Sequence, residues 1–352
     1  MKKQYDYISF IGRFEPFHLG HQEVVNRALQ LADKVIILVG SSFQPRTIKN
    51  PFTFEERKQM ILDSYEFLTL RDKAEGKSPS IIIVPLQDQR YNDQTWTASV
   101  QNIVESEVNK AFGWSDKPLR GGLIGHSKDE SSYYLQLFPQ WESVEHSINE
   151  EVHATDMRDL YFESHIKYLK AIVPDATYRF LENFSKKSEF AELVKEQAFI
   201  KAYKKSWEAA PYAPTFLTCD AVVVQSGHIL LVKRKAAPGK GLWALPGGFV
   251  NQKERIEDAM IRELREETRL KVPAPVLKGS IKKKEVFDHP NRSLRGRTVT
   301  QAFYIELVAG KLPAVKGGDD AAEAKWVPLS HIREEEMFED HFSIIQEFVG
   351  KL

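Results

Sequence analysis

The chain has 352 residues, of which 42% are hydrophobic and 28% charged, and this length and composition are typical of a globular protein with two domains. Its 49 basic and 49 acidic residues cancel, so any anionic ligand must be bound by local groups rather than by a global field. The lone Cys219 excludes an intramolecular disulfide, and the sequence shows no signal-peptide pattern or membrane-spanning apolar run. These features predict a cytoplasmic protein without nucleic-acid or membrane partners.

The first half alternates short apolar runs with helical patterns, which predicts a parallel sheet wrapped by helices. The predicted strands are residues 6–11, 34–40, 81–86, 121–125 and 142–147. Between the first two strands, one apolar helix face is predicted from Val24, Val25, Ala28, Leu29 and Ala32. The segment "GRFEPFHLGH", residues 12–21, therefore joins a strand to a helix at the carboxyl edge of the sheet, where ligands bind in such folds.

The second half reads as a mixed α+β domain. A charged, helical stretch at 183–214 is predicted to connect the halves, and two β-rich runs around "QSGH" predict a hairpin. Another strand is predicted at "RTVTQAFYIEL", and the longest helix near 255–269. The predicted domains are therefore 1–183 and 215–352, with 184–214 as the connector.

His18 and His21 are predicted to lie at the amino terminus of the first helix, where unsatisfied amides and the helix dipole favour phosphate oxygens. An isolated histidine pair with this spacing is more often a cap or a solvated pair. The segment "HATDMRDL" supplies Thr155 and Arg158 at another predicted helix start. Together, these two segments resemble the phosphate-binding motifs of the nucleotidyltransferase superfamily, which has a Rossmann-like fold.

"NPFTFEER" and "YNDQTW" extend this resemblance to the archaeal-type nicotinamide mononucleotide (NMN) adenylyltransferases. The resemblance implies that His18, His21 and Arg158 are catalytic. It implies substrate-binding roles for Gly12, Arg13, Phe14, Arg57, Asn92, Asp93, Trp96 and Thr155. Taken alone, Trp96 is more often a core residue and "NPFTFEER" is more often structural. Glu15 stands where many members of the family have glutamine.

In the second half, the order Gly248, five residues, Glu254, seven residues and "RELREETRL" matches the Nudix box. Glu263, Glu266 and Glu267 share one face of the predicted helix, where like charges oppose each other by a few tenths of a kcal/mol per pair, roughly. Mg²⁺ prefers such hard oxygen ligands and would remove the repulsion. The letters "ELREE" alone are more often a solvated acidic face.

The resemblance to the Nudix hydrolases implies that Glu263, Glu266 and Glu267 bind Mg²⁺, with Mn²⁺ as an alternative, and that Glu263 and Glu267 are catalytic. It also implies a further acidic ligand from a distant loop, for which Glu323 is the candidate. Arg269 departs from the family pattern, which has a glycine there that suits a left-handed helix end. Within "VFDHPNRSLRGRTVT", Arg292, Arg295 and Arg297 are candidates to bind phosphates or stack on a base, although such loops are as often merely solvated. Of these, Arg292 and Arg297 are the predicted substrate-binding residues.

Over nearly its whole length, the chain resembles the bifunctional bacterial NMN adenylyltransferase/Nudix hydrolases. This resemblance implies ATP, NMN, NAD and ADP-ribose as small-molecule ligands. Alternatives stay open for each half. The first half could adenylylate another acceptor, such as nicotinic acid mononucleotide or pantetheine phosphate. The second half could bind ADP-ribose or NAD as a sensor without cleaving it, or could cleave another nucleoside diphosphate derivative. The oligomeric state, a homo-oligomer included, is also open.

Overall fold

The computed structural model describes residues 3–113, 118–125, 134–145 and 154–350. Residues 146 and 147 of the last predicted strand of the first half, and His153 of the second motif, lie outside the described residues. The chain divides into two compact units, Met1–Val194 and Lys195–Leu352.

The first unit alternates strands and helices. Its elements are β1 (Tyr5–Gly12), α1 (Leu19–Leu31), β2 (Ala32–Val39), α2 (Phe54–Ser64), α3 (Glu66–Ala74), β3 (Ile81–Pro85), α4 (Asp93–Phe112), β4 (Gly121–Gly125), β5 (Glu142–Glu145), α5 (Ala154–Phe162), α6 (Ile166–Leu169) and α7 (Asp175–Phe184). Helix α8 (Ser188–Lys205) contains the boundary between the units.

The described strands of the first unit pair in the order β3-β2-β1-β4-β5, and every pair is parallel. The central strand β1 is apolar and buried on both faces, as parallel strands covered by helices require. The predicted parallel α/β fold is confirmed. Strand order reverses beside β1, so the loop after β1 lies at the point where doubly wound folds bind ligands.

Helix α1 packs through the predicted apolar face, since Val24, Val25 and Ala28 are buried. Leu29 is only half-buried, and Ala32 is the first residue of β2 rather than part of the helix. The spacing predicts a helix face that extends to Ala32, but the helix ends at Leu31 because the chain enters strand β2 at the next residue.

The second unit contains a mixed sheet and two main helices. Its elements are β6 (Phe216–Gln225), β7 (His228–Arg234), β8 (Trp243–Ala244), β9 (Gly247–Phe249), α9 (Ile256–Thr268), α10 (Ala274–Gly279), β10 (Ile281–Phe287), β11 (Thr298–Glu306), β12 (Ala321–Pro328) and α11 (His341–Val349).

The sheet of the second unit runs β10-β11-β6-β7-β12, with β8 on β7 and β9 on β6. Strands β11 and β6 are parallel, and the other pairs are antiparallel. The predicted hairpin is present. Ser226 and Gly227 both have positive φ (48° and 73°), as the two central residues of a type I′ turn require.

Helix α9 buries Ala259, Met260, Ile261 and Leu264 against the sheet. The acidic residues of the Nudix box border this apolar face, and Glu267 is buried with it. The predicted mixed α+β unit, with its longest helix near 255–269, is therefore confirmed. Across the described part of the chain, no helix is both long and apolar enough to cross a membrane.

Candidate active sites

The loop after β1 is shaped by a close contact between Gly12 and Phe14. A Cβ at Gly12 would lie 2.8 Å from the Phe14 ring, so only glycine fits there. Phe14 has a positive φ of 56° and is 1% exposed. Its ring meets that of His21 edge-on, with centroids 4.8 Å apart. Phe14 thus packs between Gly12 and His21, and substrate binding by Gly12 and Phe14 stays a prediction.

His18 and His21 form a reciprocal cap at the start of α1. The Nδ1 atom of each accepts the backbone N–H of the other at 3.4 Å, and the rings stack with centroids 3.6 Å apart. Because both Nδ1 atoms accept hydrogen bonds, the proton of each neutral ring lies on Nε2. The pair therefore caps the helix through Nδ1, and a phosphate contact would be made through the Nε2 side of each ring, so the two readings of the histidine pair are compatible.

Arg158 projects from α5 beside the same loop. It is 6% exposed, donates to the carbonyl of Glu15 at 2.9 Å and donates to the Thr155 hydroxyl at 3.2 Å. Burial, reinforced by the charge of Arg13, lowers the pKa of Arg158 to about 10. The guanidinium is still charged at neutral pH, and Thr155 orients it. The structure thus brings Arg158, Thr155 and Arg13 together with the histidine loop.

Lys49 is a candidate site residue for which the sequence gives no signal. Burial and the charges of Arg13, Arg90 and Arg158 lower the pKa of this lysine to about 8, while Asp88 opposes the shift. Its loop is fixed, since Arg46 binds Glu56 at 2.8 Å and the Asn50 amide donates to Thr47 at 3.2 Å. Gathered cations of this kind favour an anion such as a nucleotide phosphate. The cluster could have been found only by knowing which loops meet.

Arg57 lies beneath this cluster and is 1% exposed. It donates to the carbonyls of Arg13 and Gly40, each at 2.7 Å, and of Ser41 at 3.2 Å. The guanidinium therefore ties the loops after β1 and β2 together. This placement favours the structural reading of "NPFTFEER" over direct substrate binding by Arg57.

Glu15 is the buried partner of Arg57. It is 1% exposed, its Oε2 accepts the Phe52 amide at 3.1 Å, and its Oε1 lies 3.2 Å from Arg57 Nη1. Burial raises the pKa of the Glu15 carboxyl to about 8, against the opposing charge of Arg57. The departure at Glu15 thus lies in the framework behind the phosphate site.

Trp96 lies in the first turn of α4. It is half-buried, and its ring centroid lies 6.1 Å from that of Tyr134 and 5.9 Å from that of Phe138. Asn92 caps the helix by accepting the Thr95 amide at 2.9 Å, and Asp93 is exposed beside it. Trp96 thus packs on core aromatics while part of it faces solvent, and base stacking by this residue stays a prediction.

In the second unit, Arg262 organises the acidic face of α9. It binds Glu254 at 2.7 Å, Glu263 at 2.8 Å and Glu266 at 3.1 Å. Hydrogen bonding to Arg262 lowers the pKa of Glu254 to about 2. The pair of Glu254 and Arg262 therefore ties the loop before α9 to the helix.

Glu267 and Glu263 lie toward the sheet. Glu267 is 8% exposed and accepts the Gly247 amide at 3.0 Å, and burial raises its pKa to about 8. A Cβ at Gly248 would lie 2.6 Å from the Glu263 carboxylate, which explains the glycine at the start of the motif. Burial also raises the pKa of Glu263. Both carboxyl groups therefore lack enough positive charge around them to offset desolvation.

Among the described residues, no three His, Cys, Asp or Glu side chains are gathered closely enough to hold a metal ion. The reason is visible in the ion pairs: Arg262 draws Glu263 and Glu266 to itself, and Glu267 is held by Gly247. The donor set nevertheless fits a divalent cation, because the three side chains offer only carboxylate oxygens on one helix face and two of them have raised pKa values. Glu263, Glu266 and Glu267 would hold it.

Asp319 is a second candidate for the further acid beside Glu323, whose role as a metal ligand stays a prediction. Glu323 lies on β12 opposite Lys233, and its side chain is exposed. Asp319, in the loop before β12, lies close enough to Glu263 for its charge to raise the pKa of that carboxyl. Asp319 and Glu323 lie only four residues apart in the chain, and the fold of the loop decides which one approaches α9.

Beside Glu267 lies a cavity of about 210 Å³. Polar and aromatic side chains line it, among them Asp220, Glu267, Arg292, Arg295, Phe338 and His341. Asp220 accepts the Thr300 hydroxyl at 2.5 Å, and His341 accepts the Leu245 amide at 2.9 Å through Nδ1. Sequence patterns gave no signal for Asp220 or His341, since their neighbours are far away in the chain.

The three arginines of the predicted substrate loop separate in the structure. Arg292 makes a buried bidentate pair with Asp340, at 2.9 Å for both contacts, and borders the cavity. Arg297 turns to Asp288, 3.8 Å away, and does not line the cavity. Arg295 lines it and lies 5.2 Å from the Phe249 ring centroid. Arg295 is thus a further candidate to face a ligand at the cavity, and substrate binding by Arg292 and Arg297 stays a prediction.

These two units define a class of protein in which a cytidylyltransferase-like fold precedes a Nudix fold. The cytidylyltransferase-like family matches residues 9–115, and the NUDIX domain family matches residues 215–348. A crystal structure from Francisella tularensis, titled a bifunctional NMN adenylyltransferase/ADP ribose pyrophosphatase complexed with AMP and manganese ion, is 35% identical. It aligns with a TM-score of 0.87 over 98% of each chain. The chain belongs to this bifunctional NMN adenylyltransferase/ADP-ribose pyrophosphatase family.

Relatives of each half agree with this assignment. The nicotinamide/nicotinic acid mononucleotide adenylyltransferase of Acinetobacter baylyi is 40% identical over 191 residues, which are 54% of this chain and 92% of the relative. The ADP-ribose pyrophosphatase of Methanocaldococcus jannaschii is 36% identical over 138 residues, which are 39% of this chain and 75% of the relative.

Proposed function

We propose that the first unit joins ATP and NMN to form NAD and pyrophosphate, and that the second unit hydrolyses ADP-ribose to AMP and ribose 5-phosphate. The observation that carries the proposal is that one chain holds both sets of reactive groups in place: the stacked His18 and His21 beside Arg158, and the carboxylates of α9 beside a cavity.

In the adenylyl transfer, an oxygen of the NMN phosphate bonds to the α-phosphorus of ATP, and pyrophosphate leaves. This reaction needs alignment and charge stabilisation more than covalent help. The Nε2–H groups of His18 and His21 would donate to phosphate oxygens. Arg158, oriented by Thr155 and the Glu15 carbonyl, would stabilise the charge on the leaving pyrophosphate. Lys49 and Arg13 extend the positive surface for the triphosphate.

In the hydrolysis, water cleaves the diphosphate bond of ADP-ribose. A divalent cation on Glu263, Glu266 and Glu267, Mg²⁺ with Mn²⁺ as an alternative, would screen the diphosphate and activate water. Arg295 would meet the anionic substrate at the cavity, and Arg292, fixed by Asp340, would hold the wall. Glu267, the most buried of the three carboxylates, lies at the cavity itself.

Product analysis by chromatography tests the hydrolase half. Purified protein is incubated with ADP-ribose and Mg²⁺ beside Glu267→Gln. We expect AMP and ribose 5-phosphate only from the unsubstituted protein. If ADP-ribose stays whole but binds, the unit is a sensor or cleaves another diphosphate.

Nicotinic acid mononucleotide is the second candidate acceptor, because the Acinetobacter relative is named for both mononucleotides. Initial rates with NMN, nicotinic acid mononucleotide and pantetheine phosphate, each with ATP, decide the acceptor. The proposal is supported if kcat/KM is highest with NMN. If kcat/KM is higher with another mononucleotide or with pantetheine phosphate, that compound is the preferred acceptor.

A further inference from the structure

Arg269 ends helix α9 in the left-handed conformation, with φ 54° and ψ 23°. A residue with a side chain is strained there, and glycine is the usual choice. The strain is retained next to three candidate metal ligands, so the side chain is a candidate for a role that glycine could not fill.

The Arg269 side chain packs directly on Gly318. A Cβ at Gly318 would lie 2.5 Å from Arg269 Nε and 2.5 Å from the Glu266 carbonyl oxygen. Gly318 is not among the residues of positive φ, so glycine is needed there for space alone. The guanidinium and the loop backbone are therefore in close contact.

The segment Lys316–Asp320, which we name the acidic loop, is joined to the last turn of α9. The Lys316 amide donates to the Thr268 carbonyl and the Gly318 amide to the Glu267 carbonyl, both at 2.9 Å. These carbonyls belong to the group that a helix end leaves without intrahelical partners. The loop thus caps the helix while Arg269 covers the loop.

The acidic loop carries two groups to the site. Asp319 approaches Glu263, on which its charge acts. Asp320 lines the cavity, and its carbonyl accepts the Lys235 amide at 3.1 Å. A small displacement of this loop would move both carboxylates relative to the α9 carboxylates.

We propose that Arg269 is a positioning residue of the hydrolase site: its guanidinium, packed on Gly318, holds the acidic loop against the end of α9 and so fixes Asp319 and Asp320 beside Glu263 and the cavity. The inference rests on the proposed hydrolase function for its kinetic consequence. Whether Arg269 holds the acidic loop can be measured by amide hydrogen exchange, without substrate turnover.

Three variants separate the side chain from the backbone strain. Arg269→Gly removes both, Arg269→Ala removes only the side chain, and Arg269→Lys keeps a long cation. Arg265→Ala, an exposed arginine one turn earlier on the same helix, is the control for charge. Each full-length protein is measured for amide hydrogen exchange over residues 315–321, for the melting temperature, and for kcat and KM with ADP-ribose and Mg²⁺.

Arg269→Gly and Arg269→Ala are expected to speed exchange of the Lys316 and Gly318 amides and to lower kcat by about 10-fold or more, since small misplacements are costly in catalysis. Only Arg269→Gly should also raise the melting temperature, by roughly 2–4 °C, because the strain is relieved. Arg269→Lys should recover part of the kcat, and Arg265→Ala should match the unsubstituted protein.

Unchanged amide exchange in Arg269→Gly and Arg269→Ala would show that Arg269 does not hold the acidic loop. Faster exchange with an unchanged kcat would show that holding the loop does not matter for the reaction. If the unsubstituted protein does not hydrolyse ADP-ribose, the proposed function fails, while the exchange data still decide whether Arg269 holds the loop.

Discussion

At the scale of single residues, Lys49 shows how positive charge gathers at the candidate phosphate site. Its half-buried ammonium has Arg13 on the loop after β1, Arg90 and Asp88 on the loop after β3, and Arg158 on α5 around it. Asp88 already accepts the Ser41 amide at 3.0 Å and hydroxyl at 2.7 Å. Repulsion among these cations is unfavourable until nucleotide phosphates neutralise it.

Replacing Lys49 should therefore weaken ATP binding more than it changes acceptor binding. We expect Lys49→Gln to raise the KM for ATP about 10-fold, in line with loss of one charge-assisted contact, and Lys49→Arg to recover most of it. Since the pKa of Lys49 in the enzyme without nucleotide is about 8, its ammonium loses its proton as the pH rises from 7 to 9. The KM for ATP of the unsubstituted enzyme should then rise, and that of Lys49→Arg should rise less. Steady-state kinetics across this range check both, and parallel profiles for the two proteins would refute the role of Lys49.

The raised pKa of Glu15 leads us to expect that the stability of the folded protein depends on pH. Its folded pKa, about 8, lies above the ordinary value of an unfolded carboxyl, about 4.3, so the folded state binds more protons between these pH values. Stability contributed by the neutral carboxyl is thus present at low pH and is lost as pH rises toward 8. Glu15→Gln stays neutral, so its melting temperature relative to the unsubstituted protein should increase from pH 6 to pH 9. Thermal unfolding of both proteins at several pH values measures this difference in melting temperature. The contributions of all other titrating groups are common to both proteins and cancel in the difference. A constant difference would contradict a folded pKa of about 8 for Glu15.

At the scale of elements, α9 combines an apolar face that fixes it to the sheet with an acidic face that opposes its own formation. Arg262 offsets part of the repulsion by binding Glu263 and Glu266. Glu267 accepts a hydrogen bond from the Gly247 amide, and the charge of Arg234 acts on it. These contacts offset only part of the repulsion among the three carboxyl groups.

A divalent cation should accordingly stabilise this unit. Binding to the folded state alone adds RT ln(1 + [L]/Kd), which is about 2.7 kcal/mol at one hundred times Kd. We expect Mg²⁺ to raise the melting temperature of the full chain, and Glu266→Gln or Glu267→Gln to reduce that rise. Asp258→Asn is the matched control, because Asp258 lies on α9 but pairs with Lys278 at 2.6 Å. Scanning calorimetry with Mg²⁺ against Na⁺ at equal ionic strength measures the effect, and an equal rise in every variant would place the cation elsewhere.

At the scale of the whole molecule, the groups that sequence could predict are those encoded by local spacing. Alternating apolar runs indicated the parallel sheet, and His18, His21 and the α9 carboxylates each lie within one short motif. Lys49, Asp319 and His341 were missed because their role depends on contacts between segments distant in the chain. Arg292 was predicted to bind substrate, but Asp340, 48 residues later, binds its guanidinium, a partner that no local pattern reveals.

Because the described groups of each candidate site come from one unit, each activity should be lost by a change in its own unit alone. His18→Ala should abolish NAD synthesis and leave ADP-ribose hydrolysis intact, and Glu267→Gln should do the reverse. His18→Asn separates chemistry from folding: asparagine is a good helix cap but lacks the Nε2–H donor, so it should lose synthesis while keeping the melting temperature closer to that of the unsubstituted protein. Chromatography of both reactions from one preparation of each variant gives the answer. Loss of both activities from either single change, with the melting temperature preserved, would mean that the two sites depend on each other.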